Sequence, residues 1–334
     1  MRKKENRVTA SDVAKLAGVS KWTVSRAFMP GASISQDARE RVMKVAQELG
    51  YRPNLLARSL AKKKTHIIGV VIDEMKNPHT LMLLDEATRQ LQSRGHMALI
   101  INMSADAHHQ SVMSQADQLQ VDGILFLGTI LSAELISLAE KIYRVPLIQV
   151  CRNTTSEGIE VVAIDGMAAG KQIAELMLAQ KLCRFGYMQG PITPTSHTMR
   201  KEGFEAGLNT AGHKIDVMLQ AGSYEREAAW NVLQDYIAET PPEKRIEALF
   251  CENDVLALGA MAARQVLAPD WSLSIIGFDD IEEAGALNWQ LTTFSQRIDR
   301  LVNEALNRLI DGQVSDNANW QEGELRVRRS HLKA

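Results

Sequence analysis

The sequence predicts two architectures in series: a small α-helical helix-turn-helix headpiece, then a large α/β body of two parallel-sheet lobes. Three observations carry this expectation. Over the first fifty residues, apolar side chains recur at helical spacing between capping residues and glycines. From residue 65 onward, short continuous apolar runs alternate with amphipathic stretches, the mark of a parallel sheet covered on both faces. The alternation then restarts after Val162, giving two similar halves and a cleft between them.

Composition sets the frame. The chain has 334 residues, enough for two or three domains, and 45% are apolar. No apolar run approaches the roughly 20 residues of a membrane span, so no membrane partner is expected. The N-terminus, MRKKENRVTAS, is basic but has no apolar stretch, and the expected location is cytoplasmic. Cys151, Cys183 and Cys251 are scattered without metal-ligand spacing, which fits a reducing compartment. The net charge of -2 conceals an asymmetry: residues 1–64 hold 15 Lys/Arg against 5 Asp/Glu, while the remainder is acidic. A basic first fifth on an acidic body implies a polyanion partner for that segment.

The helical unit reads in order. Thr9 caps a first helix with Asp12 as its box partner, and Val13, Leu16 and Ala17 fall on one face. Gly18 ends that helix and permits a tight turn. Ser20 caps a second helix, Lys21 to about Phe28, with Val24 and Ala27 inward. Ser35 caps a third, with Val42, Val45, Ala46 and Leu49 as its buried stripe and Gly50 as its close. A helix-turn-helix places the start of its second helix in the DNA major groove. The residues there are Lys21, Trp22, Thr23, Ser25 and Arg26. Lys or Arg can donate to guanine O6 and N7. Thr23 and Ser25 suit phosphate, and Trp22 suits a thymine methyl or a sugar edge.

VTASDVAKLAGVSKWTVSRAF followed by RERVMKVAQELGYRPNLLARSLA closely resembles the headpiece of the lactose-repressor family of bacterial regulators, with AGVS, TVSR, LGYRPN and ARSLA at the family's spacing. The resemblance implies base-reading roles for Lys21, Trp22 and Arg26. It also implies that residues 53–64 form a hinge helix, with Leu60 wedged into the minor groove and Asn54 and Ala57 lining it. An apolar wedge that kinks a base step is physically reasonable there, and so short a helix is marginal alone. Lys62, Lys63 and Lys64 either touch phosphate or are solvated.

The body begins with the strand HIIGVVID and a helix to about Arg94. MALIIN and a helix through Leu119 follow, then GILFLG, a helix from about Ser132 to Ile142, and PLIQVC. The second half has a helix from about Met167, the strand FGYMQG, a helix to about Ala211, a helix over 224–239, ALFC, a helix from about Asp254, and LSIIGF. The expected boundaries are 1–52 for the headpiece, 53–64 for the hinge and 65–334 for the body. Within the body, lobe one is expected over 65–160 with a return near 291–320, and lobe two over 161–290.

The resemblance extends through VDGILF, FCENDVLALGAM, IIGFDDIEEA and LTTFSQ. It implies a periplasmic-binding-protein-like body that takes a small effector in its cleft. Carried over position by position, Arg200 matches an arginine that holds effector hydroxyls or carboxylates, and Asn253 and Asp279 match residues that bond sugar hydroxyls. Tyr224 and Gln296 fall near matching cleft positions. Asn253 also reads as a helix cap, and Asp279 as a loop turn. Where the family often has an aspartate after PLIQV, this chain has Cys151 followed by Arg152. Two readings stand. Either the cleft exchanges an anion for a cation and takes an acidic effector, such as a sugar acid or sugar phosphate, or Cys151 is a small buried residue and Arg152 faces solvent. Met75, Asn77 and His79 stand either at the cleft mouth or in lobe packing.

Other functions fit less of the chain. There is no phosphate loop, no GxSxG elbow and no metal cluster, and His108 and His109 are adjacent, so neither catalysis nor a cofactor is expected. A sugar-binding transport protein would account for the body alone, and a constitutive architectural DNA binder for the headpiece alone. One helix in one groove gives modest specificity, so a homodimer on a palindromic operator is expected. It would form through the body, and a tail-mediated tetramer is not expected, because the short tail after Arg326 has no leucine heptads.

Overall fold

The computed structural model describes residues 8–29, 31–52, 64–103, 120–127, 146–154, 159–192, 196–197 and 199–333. The expected hinge residues Asn54, Ala57 and Leu60, Lys62 and Lys63, His108 and His109, and the helices expected through Leu119 and over Ser132–Ile142 lie outside them. The chain divides into two compact units at Thr65/His66.

In the first unit, α1 (Ala10–Ala17), α2 (Lys21–Ala27) and α3 (Gln36–Glu48) surround a core of Val13, Ala14, Ala17, Val24, Ala27, Val42 and Ala46. Capping fixes the boundaries. The Thr9 N–H and hydroxyl both donate to Asp12, at 2.8 and 2.7 Å. The Ser20 hydroxyl accepts from the Thr23 N–H, and the Ser35 hydroxyl from the Ala38 N–H. Gly18 and Gly50 turn the chain at φ near +65°. Leu16 corrects the expected α1 stripe, being 64% exposed where Ala14 is buried. At about 100° per residue, positions 13, 14 and 17 share an arc from which position 16 points away. Arg39 ties α3 to the end of α2, donating to the carbonyls of Ala27 at 2.7 Å and Ala32 at 3.1 Å.

The second unit holds two sheets. In the first, β1 (Ile67–Ile72), β2 (Met97–Asn102), β3 (Gly123–Phe126), β4 (Leu147–Val150) and β6 (Glu160–Val162) run parallel in the order β2-β1-β3-β4-β6. β5 (Asn153–Thr154) pairs instead with β8 (Ser196–His197), joining the lobes. The second sheet runs β13-β12-β11-β10-β7-β9. It comprises β7 (Phe185–Gln189), β9 (Ile215–Gln220), β10 (Ala248–Cys251), β11 (Ser274–Phe278), β12 (Thr292–Ser295) and β13 (Glu324–Arg326), of which β13 alone is antiparallel. β3, β10 and β11 are buried at every residue, as strands covered on both faces must be.

Six strands were not anticipated: β5, β6, β8, β9, β12 and β13. β6 is short. β9 is an edge strand whose burial alternates, so it lacks a continuous apolar run. β12 is threonine-rich. Its position corrects the lobe boundary, because residues 292–295 complete the second sheet and the chain returns to lobe one only after Ser295. There α9 (Ile298–Leu306) packs on α4 (Pro78–Ser93), before β13 rejoins the second sheet. Lobe one in turn extends through β6 to Val162.

Four more helices flank the second sheet or cross to it: α5 (Gly166–Ala179), α6 (Arg200–Thr210), α7 (Arg226–Glu239) and α8 (Asp254–Leu267). α5 and α6 approach so closely that a Cβ on Gly203 would lie 2.3 Å from the Met167 carbonyl oxygen, and one on Gly170 would lie 2.2 Å from that of Arg200. This contact sets the position of Arg200, the first residue of α6. Beneath the second sheet's carboxyl ends lies a cluster of Tyr187, Phe204, Phe250, Phe278 and Phe294 rings.

Candidate functional site

In the first unit, α2 buries Val24 and Ala27 and leaves Lys21, Trp22 and Ser25 exposed, with Thr23 and Arg26 half-buried. The Thr23 hydroxyl lies 2.9 Å from that of Ser20 and so takes part in the cap. Arg26 lies over the Trp22 indole, its guanidinium carbon 4.2 Å from the ring centroid. The helix thus presents a polar face with two positive groups, one of them carried on a ring.

In the second unit, the carboxyl ends of both sheets converge on one cavity. Cys151, Arg152, Arg200, Tyr224, Asn253, Asp279 and Gln296 all line it, the seven residues the sequence assigned to a cleft. Strand ends opposed across a cleft are where ligands of such sheets bind. Lobe one contributes Asn77, His79 and Thr80 from the start of α4, and Cys151 and Arg152 after β4. Leu83, Leu127 and Val150 add apolar surface. Met75 is not in the lining and is 43% exposed. The cavity measures about 40 Å³, room for a water or two, so the lobes are closed on each other.

Each side chain has an identifiable holder. Arg200 is buried, with its guanidinium carbon 3.6 Å from the Phe278 ring centroid. Its Nη1 donates to the Glu252 carbonyl at 2.6 Å. Its Nε has no hydrogen-bond partner among the described residues. Arg152 reaches across to the second lobe and donates from Nη2 to the Tyr224 hydroxyl at 2.5 Å. The reading in which Arg152 simply faces solvent is therefore corrected, because the closed cleft gives it a partner. Burial disfavours its charge, but Tyr224, Glu252 and Glu74 outweigh that effect, and its pKa ends raised. Burial, joined by the nearby Glu252 carboxylate, pushes the Tyr224 hydroxyl well above the ordinary phenol range, so it stays neutral. The Tyr224 ring lies so close to Gly190 that a Cβ there would come within 2.2 Å of it. Cys151 is buried with φ +70°, and desolvation raises its thiol pKa, so it stays protonated.

A second bridge also links the lobes. Gln296 Nε2 donates to Asp279 Oδ1 at 2.7 Å, and His79 Nε2 lies 3.8 Å from the same oxygen. Burial pushes the His79 pKa down, partly opposed by Asp279 and reinforced by Arg200 and Arg152, leaving the ring neutral. Gln296 Oε1 is buried without a hydrogen-bond partner among the described residues. Asn253 caps α8, its Oδ1 accepting from the Leu256 N–H at 2.9 Å, which leaves its amide NH₂ as the group it can offer. Asn77 likewise caps α4.

Sequence reasoning left His79 open between the cleft mouth and lobe packing, and missed Thr80, Leu83, Leu127 and Val150. The available signal was positional, since each follows or ends a strand of the first sheet.

The geometry matches known families. Residues 9–54 match the model for bacterial regulatory proteins of the lacI family. Residues 65–281 match that for periplasmic binding proteins and the sugar binding domain of the LacI family. The chain is 30% identical to the HTH-type transcriptional repressor CytR of Escherichia coli (strain K12) over 341 residues, covering 98% of each chain. It is 28% identical to the ribose operon repressor of the same strain, over 90% of this chain and 92% of that one. The lac repressor dimer bound to operator and the anti-inducer ONPF superimposes with a TM-score of 0.81 at 21% identity, over 98% of this chain and all of the other. The capped three-helix headpiece, the two facing parallel sheets and both family matches agree, and this chain belongs to the LacI family of bacterial regulatory proteins.

Proposed function

We propose that the protein is a sequence-specific transcriptional repressor whose affinity for a palindromic operator changes when a small effector binds between its lobes. It acts as a homodimer, as the lac repressor does in its operator complex. Lys21 and Arg26 read base edges in the major groove, Thr23 and Ser25 hold phosphate, and Asn54, Ala57 and Leu60 engage the minor groove. The observation that carries this reading is the pairing, on one chain, of a capped helix-turn-helix with a small inter-lobe cavity lined by six polar candidates and Cys151. It is a regulator and not an enzyme, in keeping with relatives named as repressors.

The effector is a sugar or sugar derivative carrying an acidic group. Asn253, Asp279 and Gln296 suit hydroxyls, while Arg152 and Arg200 enter the cavity from opposite lobes and suit a carboxylate or phosphate. At the end of β4 stands Cys151, which stays protonated and adds no charge of its own, while Glu252 and Glu74 lie close enough to Arg152 to raise its pKa. The test is a thermal-shift and operator-binding screen of sugars, nucleosides, sugar acids and sugar phosphates. Tight binding confined to neutral sugars or nucleosides would refute the acidic class while leaving the regulator reading intact.

A further inference from the structure

The resemblance places Trp22 among the base-reading residues, but the structure gives its ring a different occupant. Trp22 and Arg26 are four residues apart on α2, where side chains at this spacing are neighbours, Trp22 exposed and Arg26 half-buried. The Arg26 guanidinium lies over the indole at 4.2 Å, well within the range of a cation–π contact. Among the described residues, the Arg26 guanidinium has no hydrogen-bond or ion-pair partner, so the ring is its one fixed contact. Trp22 remains 67% exposed, too exposed to be a core residue of the small headpiece. Elsewhere on α2 the Thr23 hydroxyl lies against the Ser20 cap and the aliphatic residues serve the core, while the indole has no place in that core.

A guanidinium carries its five N–H donors in its own plane. Stacking its face on a ring therefore uses none of them and leaves the fork free for guanine O6 and N7. Stacking also removes rotamer freedom that a lone arginine would lose on docking. We propose that Trp22 is a positioning residue for specificity. It holds the Arg26 guanidinium as a preformed base-reading fork, and its contribution to operator choice passes through Arg26. This inference rests on the DNA-binding reading above.

The test uses the full-length protein and a duplex selected by it from a randomised palindromic library. A wild-type protein that enriches no duplex would overturn the DNA-binding reading itself. With a selected duplex in hand, affinities are measured for W22A, W22F, W22M, R26A and the W22A/R26A pair. An exposed cation–π contact of about 0.5–1 kcal/mol corresponds to a two- to five-fold loss. W22A and W22M should therefore bind about two- to five-fold more weakly, and W22F, which keeps a ring face, should stay near wild type. In the R26A background, W22A should cause no further loss. W22A should also flatten discrimination at the base pair whose substitution no longer matters to R26A. Because W22M preserves bulk without a ring face, the comparison with W22F stands even if W22A loosens the headpiece. Equal losses from W22A in the two backgrounds, or wild-type binding by W22M, would overturn the positioning role.

Discussion

Arg152, following a lobe-one strand, donates from Nη2 to the Tyr224 hydroxyl of lobe two, 2.5 Å away and 72 residues later in the chain. The His79–Asp279 contact, with Gln296 donating to the same carboxylate, is a second link between the lobes. The Lys76–Glu225 pair also spans the lobes, but at 4.0 Å and largely exposed it contributes little. Removing the Tyr224 hydroxyl leaves a desolvated guanidinium short of one acceptor. Tyr224→Phe is expected to lower stability by about 1–3 kcal/mol in urea unfolding. A midpoint unchanged from wild type would mean that the bond is incidental to closure.

His79 gives a pH prediction. Its pKa lies below 6.5 in the folded protein because burial disfavours the cation. The unfolded chain therefore binds the proton more readily as pH falls below about 6.5, and stability declines with it. His331, also depressed by burial, adds to the same trend. His79→Gln should flatten the decline between about pH 6.5 and the folded pKa, as read from unfolding midpoints across that range. A variant with the wild-type slope would assign the whole effect elsewhere.

The α5–α6 contact predicts a packing effect that reaches the cleft. Gly203→Ala places a methyl 2.3 Å from the Met167 carbonyl oxygen, so the helices must separate. Overpacking of this kind costs about 1–3 kcal/mol. Because α6 begins at Arg200, effector affinity should fall along with stability, by calorimetric titration and denaturant unfolding respectively. Loss of stability with unchanged effector affinity would uncouple the helix contact from the site.

Arg200→Ala should abolish the effector response while sparing operator binding. The basis is the unpartnered Nε of a buried guanidinium facing the cavity. Operator affinity measured with and without effector separates the two functions. A variant that still responds would remove Arg200 from the effector's contacts.

Much of this was legible in the sequence, and the exceptions have physical causes. Caps are local, so Thr9, Ser20 and Ser35 identify the headpiece helices from three or four neighbours. The continuous apolar strands are equally plain. β9 and β12 were obscured because an alternating edge strand and a threonine-rich strand lack that run. Leu16 was misassigned because a stripe at i, i+3 and i+4 does not fix which side of it faces the core. The cleft residues were found through motif positions, but their partners were not. The Arg152–Tyr224 bond exists only once the lobes close, and Arg39 reaches two carbonyls that no spacing rule connects to it.

The central claim is that one small molecule in the cleft and one operator on the headpiece are energetically coupled. Linkage requires the coupling to be reciprocal. The most direct measurement is fluorescence-anisotropy titration of the selected operator with and without a saturating sugar acid or sugar phosphate from the screen, paired with calorimetric titration of that ligand with and without operator. Operator affinity should change at least five-fold, typical of allosteric coupling of about 1 kcal/mol or more, and ligand affinity should change by the same factor. A ligand that binds the cavity tightly while leaving operator affinity unchanged would contradict this claim.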